Sequence, residues 1–156
     1  MPDMLVKLYD LPEVEPLRSY EQRTGVTIRR AIAPEKHVVA DWVGKHFGKG
    51  WVSEAEVAFA RSPITCLVAV ENSKMLGFAC YDATVKGFFG PTGVDEKERG
   101  RGIGKMLLLY SLDYMKQEGY GYAIIGGAGP TQFYAKTTGA TVIEGSVPGM
   151  YKGMLS

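Results

Sequence analysis

The residues best suited to chemistry lie in a glycine-rich turn at 99–105, which reads RGRGIGK and leads directly into an apolar helical run. Glycines adopt backbone conformations that other residues resist and let a bulky ligand approach the main chain. The start of a helix presents free N–H groups and the positive end of the helix dipole. Because Arg99, Arg101 and Lys105 add positive charge, the turn is predicted to bind a phosphate or pyrophosphate group.

The spacing of the glycines excludes two familiar phosphate-binding loops. A Walker A loop needs Gly-x-x-x-x-Gly-Lys-Ser/Thr, but counting back from Gly104 puts Arg99 at the first glycine position, and Met106 replaces the magnesium-binding hydroxyl. A dinucleotide fingerprint, Gly-x-Gly-x-x-Gly, that begins at Gly102 meets Leu107 at its last glycine position. The turn therefore indicates neither a nucleoside triphosphatase nor a dinucleotide-binding fold.

The spacing that the turn does satisfy is Arg-x-x-Gly-x-Gly at 99–104, which follows a strand-like segment ending at Val94. A second strand-like run at 122–127 is followed by the aromatic pair 133–134 and then by Gly139. In both features, and in their order and separation, the second half of the chain resembles the GNAT superfamily of acyl-CoA-dependent N-acetyltransferases.

The resemblance implies that acetyl-CoA is the co-substrate and that no metal takes part. It implies that Tyr134 lies beside the sulfur of the coenzyme and acts as the general acid that protonates the departing thiolate. Main-chain groups of Thr92 and Val94 would pair with the pantetheine arm. The residues that would bind the pyrophosphate are Arg99, Gly100, Arg101, Gly102, Ile103, Gly104 and Lys105.

A general base is harder to assign. Many members of the superfamily carry a glutamate on the strand before the turn, whereas residues 86–93 contain no carboxylate. Asp82, Glu54 and Glu56 are candidate replacements, and a bound water or an already neutral substrate amine would serve instead. The resemblance also places Gly127 where an asparagine often contacts pantetheine.

Two functions remain open at this point. The first is transfer of an acetyl group from acetyl-CoA to the primary amine of a small molecule, by direct attack in a ternary complex. The second is a non-catalytic module that senses acyl-CoA or serves as a scaffold, which the missing carboxylate favours. Both use the same glycine-rich turn, so the turn does not separate them.

Hydrophobic periodicity and turn residues predict the elements that position these groups. The predicted strands are 26–32, 64–71, 75–82, 85–94 and 122–127. The predicted helices are 35–47, a short one opened by the capping box Ser53-x-x-Glu56, and 102–118. A C-terminal hairpin is expected from 140–143 and 150–154, and Pro91 is expected to bring a bulge or splay.

The resemblance implies an α/β (α+β) fold with a mixed, mostly antiparallel sheet, flanked by helices and splayed on either side of the coenzyme-binding helix. Residues 25–156 are predicted to form this single domain. Residues 1–24 are predicted to be an N-terminal arm or an extra strand, and the sequence does not choose between the two. The acceptor pocket is expected to draw on the first two helices, the strand around Phe88 and the C-terminal hairpin. Its aromatic surface is expected from Trp42, Trp51, Phe59, Tyr81, Phe88 and Phe89.

Composition bears on the kinds of partner, metal site and cellular location to expect. The formal net charge of +1 favours neither nucleic acid nor a membrane surface as a partner. Cys66 and Cys80 lie in apolar runs without zinc-ligand spacing, so packed, reduced thiols are expected. With no signal peptide or membrane-spanning run recognised, a cytoplasmic location is expected. A homodimer is suggested only by the resemblance.

Overall fold

A computed structural model of the chain describes residues 1–156. The strands are β1 (Met4–Lys7), β2 (Thr27–Arg30), β3 (Cys66–Glu71), β4 (Lys74–Tyr81), β5 (Phe88–Val94), β6 (Tyr122–Ile125) and β7 (Thr141–Val142). The α-helices are α1 (Leu17–Thr24), α2 (Lys36–His46), α3 (Lys49–Phe59), α4 (Ile103–Gln117) and α5 (Thr131–Thr138).

The strands form one open sheet in the order β2-β3-β4-β5-β6-β1-β7. Every pairing is antiparallel except β5 with β6. β4 is buried on both faces, and two separate hydrophobic clusters cover the sheet, one with α1, α4 and α5 and one with α2 and α3. The predicted mixed, mostly antiparallel sheet flanked by helices is therefore confirmed.

Glycines at the helix ends explain several boundaries. Gly25 and Gly139 end α1 and α5 in the left-handed conformation, with φ of 80° and 74°. Gly48 lies between α2 and α3, and its φ of 126° separates the two helices. It is the N-cap residue of α3, which begins at Lys49. The expected start of α3 at a Ser53 capping box is therefore wrong, because Ser53 lies inside a helix that begins at Lys49.

Residues 1–24, which the sequence left open between an arm and an extra strand, form β1 and α1. β1 lies inside the sheet, antiparallel to β6 on one side and to β7 on the other. The predicted C-terminal hairpin is wrong, since β7 pairs with β1 and the chain beyond it forms only a short 3-10 turn at Gly149–Tyr151. Gly145 and Gly149 take positive φ there, which interrupts any extended strand.

The sheet opens between β5 and β6. Their parallel pairing is limited to Phe88 with Ile124 and Phe89 with Ile125. Beyond this point Thr92–Val94 pairs with β4 on one side only, so the other edge has no strand partner. Pro91, which lacks an N–H, lies where the pairing stops, and the β4–β5 register shifts nearby, as expected.

Candidate active site

The glycine-rich turn connects β5 to α4 and leaves the start of α4 open. Gly100 and Gly102 have φ of 86° and 75°, a region that residues with a side chain rarely adopt. Gly102 is the N-cap residue of α4 and supplies no side-chain hydrogen bond. The first intrahelical bond is donated by Met106 to the Gly102 carbonyl, so the N–H groups of residues 103–105 are left for a ligand.

A cavity of about 560 Å³ lies in front of this helix end, between the unpaired edge of β5 and α5. Of the residues predicted for coenzyme binding and catalysis, all except Arg101 line it: Thr92, Val94, Arg99, Gly100, Gly102, Ile103, Gly104, Lys105 and Tyr134. Arg99 and Lys105 make no ion pair within the protein and are exposed. Their charges, the helix dipole and the free N–H groups therefore act together on whatever enters the cavity.

Arg101, which the resemblance assigns to the pyrophosphate, has several protein partners. Its guanidinium forms ion pairs with Glu71 at 2.8 Å and Glu98 at 2.7 Å and donates to the carbonyl oxygen of Thr24. The bond from Arg101 also lowers the pKa of Glu71. These contacts join the turn to α1 and to the end of β3.

Tyr20 is a second support of the turn that sequence reasoning missed. It is 1% exposed, and its hydroxyl donates to the Arg101 carbonyl oxygen at 2.8 Å. The two residues are far apart in sequence, and no local pattern in α1 signals the contact. The only hint available beforehand was an aromatic residue within a mostly polar helix.

Tyr134 lies on α5 and faces the same cavity. The residue is 7% exposed and belongs to the core cluster around α4. Burial raises the pKa of its hydroxyl above the ordinary value of 10, and no charged neighbour contributes to the shift. The hydroxyl therefore keeps its proton at neutral pH and is available to donate it.

A second cavity, of about 650 Å³, adjoins the first along β5, because its lining ends at Pro91 and that of the first begins at Thr92. Its walls come from α3, the β4–β5 loop, β5, the glycines after β6 and the C-terminal turn. Of the aromatic residues expected there, Trp51 and Phe89 line it. Tyr81 instead is fully buried and donates to Glu118.

The three candidate bases are placed very differently. Asp82 accepts hydrogen bonds from Tyr120 and from the Gly87 N–H, and it lines neither cavity. Glu56 is exposed and pairs with Lys36 at the surface. Glu54 alone lines the second cavity, where its carboxylate accepts a hydrogen bond from the Thr84 hydroxyl.

No group of three or more His, Cys, Asp or Glu side chains is arranged to hold a metal ion, and Cys66 and Cys80 are free and buried. None of the helices has the length and apolar character that crossing a bilayer requires.

Comparisons with solved structures agree with this architecture. The chain superimposes with a TM-score of 0.73 and 16% identity on a GCN5-related glucosamine N-acetyltransferase region of a fungal multi-domain GH3 β-N-acetylglucosaminidase, covering 91% of this chain and 19% of that one. It matches a GCN5-related N-acetyltransferase from Sphaerobacter thermophilus with a TM-score of 0.70 and 21% identity, over 91% and 48% of the two chains. The chain thus spans about a fifth and about half of these two proteins.

A third similar structure, a GNAT family acetyltransferase from Brucella melitensis, was solved in complex with acetyl-CoA. It gives a TM-score of 0.52 and 21% identity, over 71% of this chain and 80% of that one. Among curated protein sequences no significant match was found. Residues 16–139, which contain the turn, the splay and Tyr134, match the sequence profile of the Acetyltransferase (GNAT) family. This match covers most of the sequence, and the chain therefore belongs to the GNAT acetyltransferase family.

Proposed function

We propose that this protein transfers an acetyl group from acetyl-CoA to the primary amine of a small molecule, by direct attack in a ternary complex. The observation that carries the proposal is one cavity shared by three features: an uncapped helix start, an unpaired strand edge and a buried tyrosine. Family membership supports acetyl-CoA as the donor. The adjoining second cavity supports the proposal because it is large enough for a small acceptor.

Two parts of the coenzyme, the pyrophosphate and the pantetheine arm, have corresponding groups on the protein. The N–H groups at 103–105, together with the side chains of Arg99 and Lys105, bind the pyrophosphate. The free main-chain edge at Thr92 and Val94 pairs with the amide groups of the pantetheine arm, as an added strand would. Arg101 does not contact the phosphates in this proposal and holds the turn in its binding conformation through its ion pairs.

Tyr134 completes the reaction. The acceptor amine must first lose its ammonium proton, because only the neutral nitrogen carries the lone pair that attacks the thioester carbonyl. As the C–N bond forms and the C–S bond breaks, the sulfur takes the proton of Tyr134. The tyrosinate regains a proton from the newly acylated nitrogen through water, so one proton per turnover is released overall.

Coenzyme binding and thiol release test this proposal. Acetyl-CoA and CoA are titrated into the protein by calorimetry, and free thiol is then followed against a panel of small amines, amino acids and aminoglycosides. Binding with amine-dependent thiol release is the expected result. Failure of acetyl-CoA to bind would refute the assignment of the first cavity.

The alternative, a non-catalytic acyl-CoA-binding module, is favoured by one observation: β5 carries no carboxylate. This reading predicts tight binding of acetyl-CoA with no thiol release for any acceptor, and no effect of Tyr134 substitution on any measured rate.

A further inference from the structure

The second cavity has an unusual balance of charge. Its walls are largely apolar, with Trp51, Val57, Phe89 and Pro91 among the lining residues. Glu54 is the single acidic side chain among them, and no lysine, arginine or histidine lines the cavity. A carboxylate among largely apolar walls, with no basic side chain lining the same cavity, favours a ligand that brings a positive charge.

The polar groups of this cavity are gathered around Glu54. Its carboxylate accepts a hydrogen bond from the Thr84 hydroxyl, which fixes one oxygen. Burial raises the pKa of the Tyr151 hydroxyl, and the negative charges of Glu54 and Asp3 raise it further. The Tyr151 hydroxyl packs closely against Gly126. A side chain at position 126 would place its Cβ only 2.8 Å from this hydroxyl, so the position requires glycine. The cavity therefore combines the polar groups of Glu54, Thr84 and Tyr151 with largely apolar walls.

We propose that Glu54 binds the ammonium group of the acceptor and takes its proton, and that the acceptor is a primary amine with one cationic centre and an apolar aryl or alkyl body. This inference rests on the proposed acetyl transfer for its chemical meaning. Acceptors that carry a carboxylate are disfavoured, because Glu54 repels them and no basic side chain lines the cavity to balance the charge. Polycationic acceptors are disfavoured because one carboxylate neutralises only one of their charges.

The proton balance follows from the same placement. The incoming R–NH₃⁺ gives one proton to the Glu54 carboxylate and becomes R–NH₂, whose lone pair forms the C–N bond. The protonated Glu54 returns its proton to solvent through the open mouth of the cavity, which matches the one proton released per turnover. Tyr134 supplies the separate proton that leaves with the sulfur.

The test compares the unmodified protein with Glu54→Gln and with a matched control, Glu56→Gln, two positions away on the same helix but at the surface. Calorimetry measures binding of 2-phenylethylamine, with and without saturating CoA. Phenylalanine, which adds a carboxylate to the same arylalkylamine, is the comparison ligand. Glutamine keeps the size of the side chain and its bond to Thr84, so a folding defect is not expected.

We expect Glu54→Gln to weaken 2-phenylethylamine binding about tenfold to a hundredfold, the usual range for loss of a charge-assisted hydrogen bond. Glu56→Gln should stay within about twofold of the unmodified protein. Phenylalanine should bind at least about tenfold more weakly than 2-phenylethylamine. Equal binding to the Glu54→Gln variant, equal binding of phenylalanine, or no binding of 2-phenylethylamine would each overturn the inference.

Thiol release separates this inference from the proposed function. Amine binding that depends on Glu54, without thiol release, would refute acetyl transfer and leave the amine site standing. Thiol release that is equally fast in the Glu54→Gln variant would refute the role of Glu54 and leave acetyl transfer standing.

Discussion

Substitution of Tyr134 by phenylalanine isolates the proposed general acid with little structural disturbance. The change removes one oxygen atom from a residue that lines the first cavity. The ring, which is buried in the core cluster around α4, keeps its packing. The hydroxyl has no charged neighbour, and burial alone raises its pKa, so no protein partner is left unsatisfied when it is removed.

The expected magnitude follows from the role assigned to the proton. General acid catalysis by a positioned side chain contributes about 10²- to 10⁴-fold, or roughly 3 to 5.5 kcal/mol of the barrier. We therefore expect kcat to fall by at least about a hundredfold. Unfolding free energy should change by no more than about 0.5 kcal/mol, since the substitution breaks no hydrogen bond. The Kd for CoA should change by less than about twofold, because the phosphate and main-chain contacts are untouched.

Steady-state thiol release, calorimetric CoA binding and thermal denaturation measure these three quantities. Tyr110→Phe is the matched control, because its hydroxyl donates to the Glu15 carbonyl at 2.8 Å and lines neither cavity. That variant should lose about 1 kcal/mol of stability, or roughly 2 to 4 °C in Tm, with kcat unchanged.

A Tyr134→Phe protein with unchanged kcat would refute the reasoning and return Tyr134 to a packing role. A large fall in Tm together with the loss of activity would also contradict it, since the Tyr134 hydroxyl should contribute nothing to the stability of the fold. Retained CoA affinity alongside lost turnover is the pattern that only the general acid explains.

Three further predictions use other parts of the structure. Arg99→Ala should weaken CoA binding about tenfold with a strong dependence on salt, whereas Arg101→Ala should chiefly lower the Tm, and equal effects of the two on CoA affinity would contradict their separate roles. Gly77→Ala should destabilise the protein by about 1 to 3 kcal/mol in urea unfolding, because the new Cβ would lie 2.9 Å from a main-chain oxygen of β5, and CoA affinity should fall with it. The bond from Arg29 depresses the pKa of Glu35 from 4.5 to about 2, so the pair stabilises the fold above about pH 4.5 and this is lost as pH falls towards 2. Both side chains are partly exposed, so Glu35→Gln should remove only about 1 kcal/mol at pH 6 and almost nothing near pH 2.

The sequence was most informative where the chemistry is local. The turn at 99–105 was found because glycine spacing, positive charge and a helix start are neighbours in the chain. The splay after Phe89 was expected for the same reason, since Pro91 itself removes a ladder hydrogen bond. Tyr134 depended on the family resemblance, because an aromatic pair on a short helix does not by itself distinguish packing from catalysis.

The contacts that the sequence did not reveal join distant segments. Glu71 has the pattern of an ordinary surface residue and Arg101 was assigned to the pyrophosphate, and only the fold brings the two together as an ion pair. Glu54 could not be separated from Glu56 beforehand, because both lie on one helix and only the direction of the side chain decides which faces the cavity. The expected C-terminal hairpin was wrong since another strand, β1, occupies the position beside β7.

The position of β1 has a consequence for how the chain folds. Its register pairs Met4 with Ile125 and with Val142. The first strand of the sheet in chain order therefore pairs only with strands that lie more than a hundred residues later in the sequence. Such non-local pairing closes a long loop and is slow to form. Until then β6 and β7 present open edges, which are sites of intermolecular pairing. Aggregation during refolding should therefore originate at this end of the sheet, and a peptide with the sequence of β1, added in trans, should compete with it.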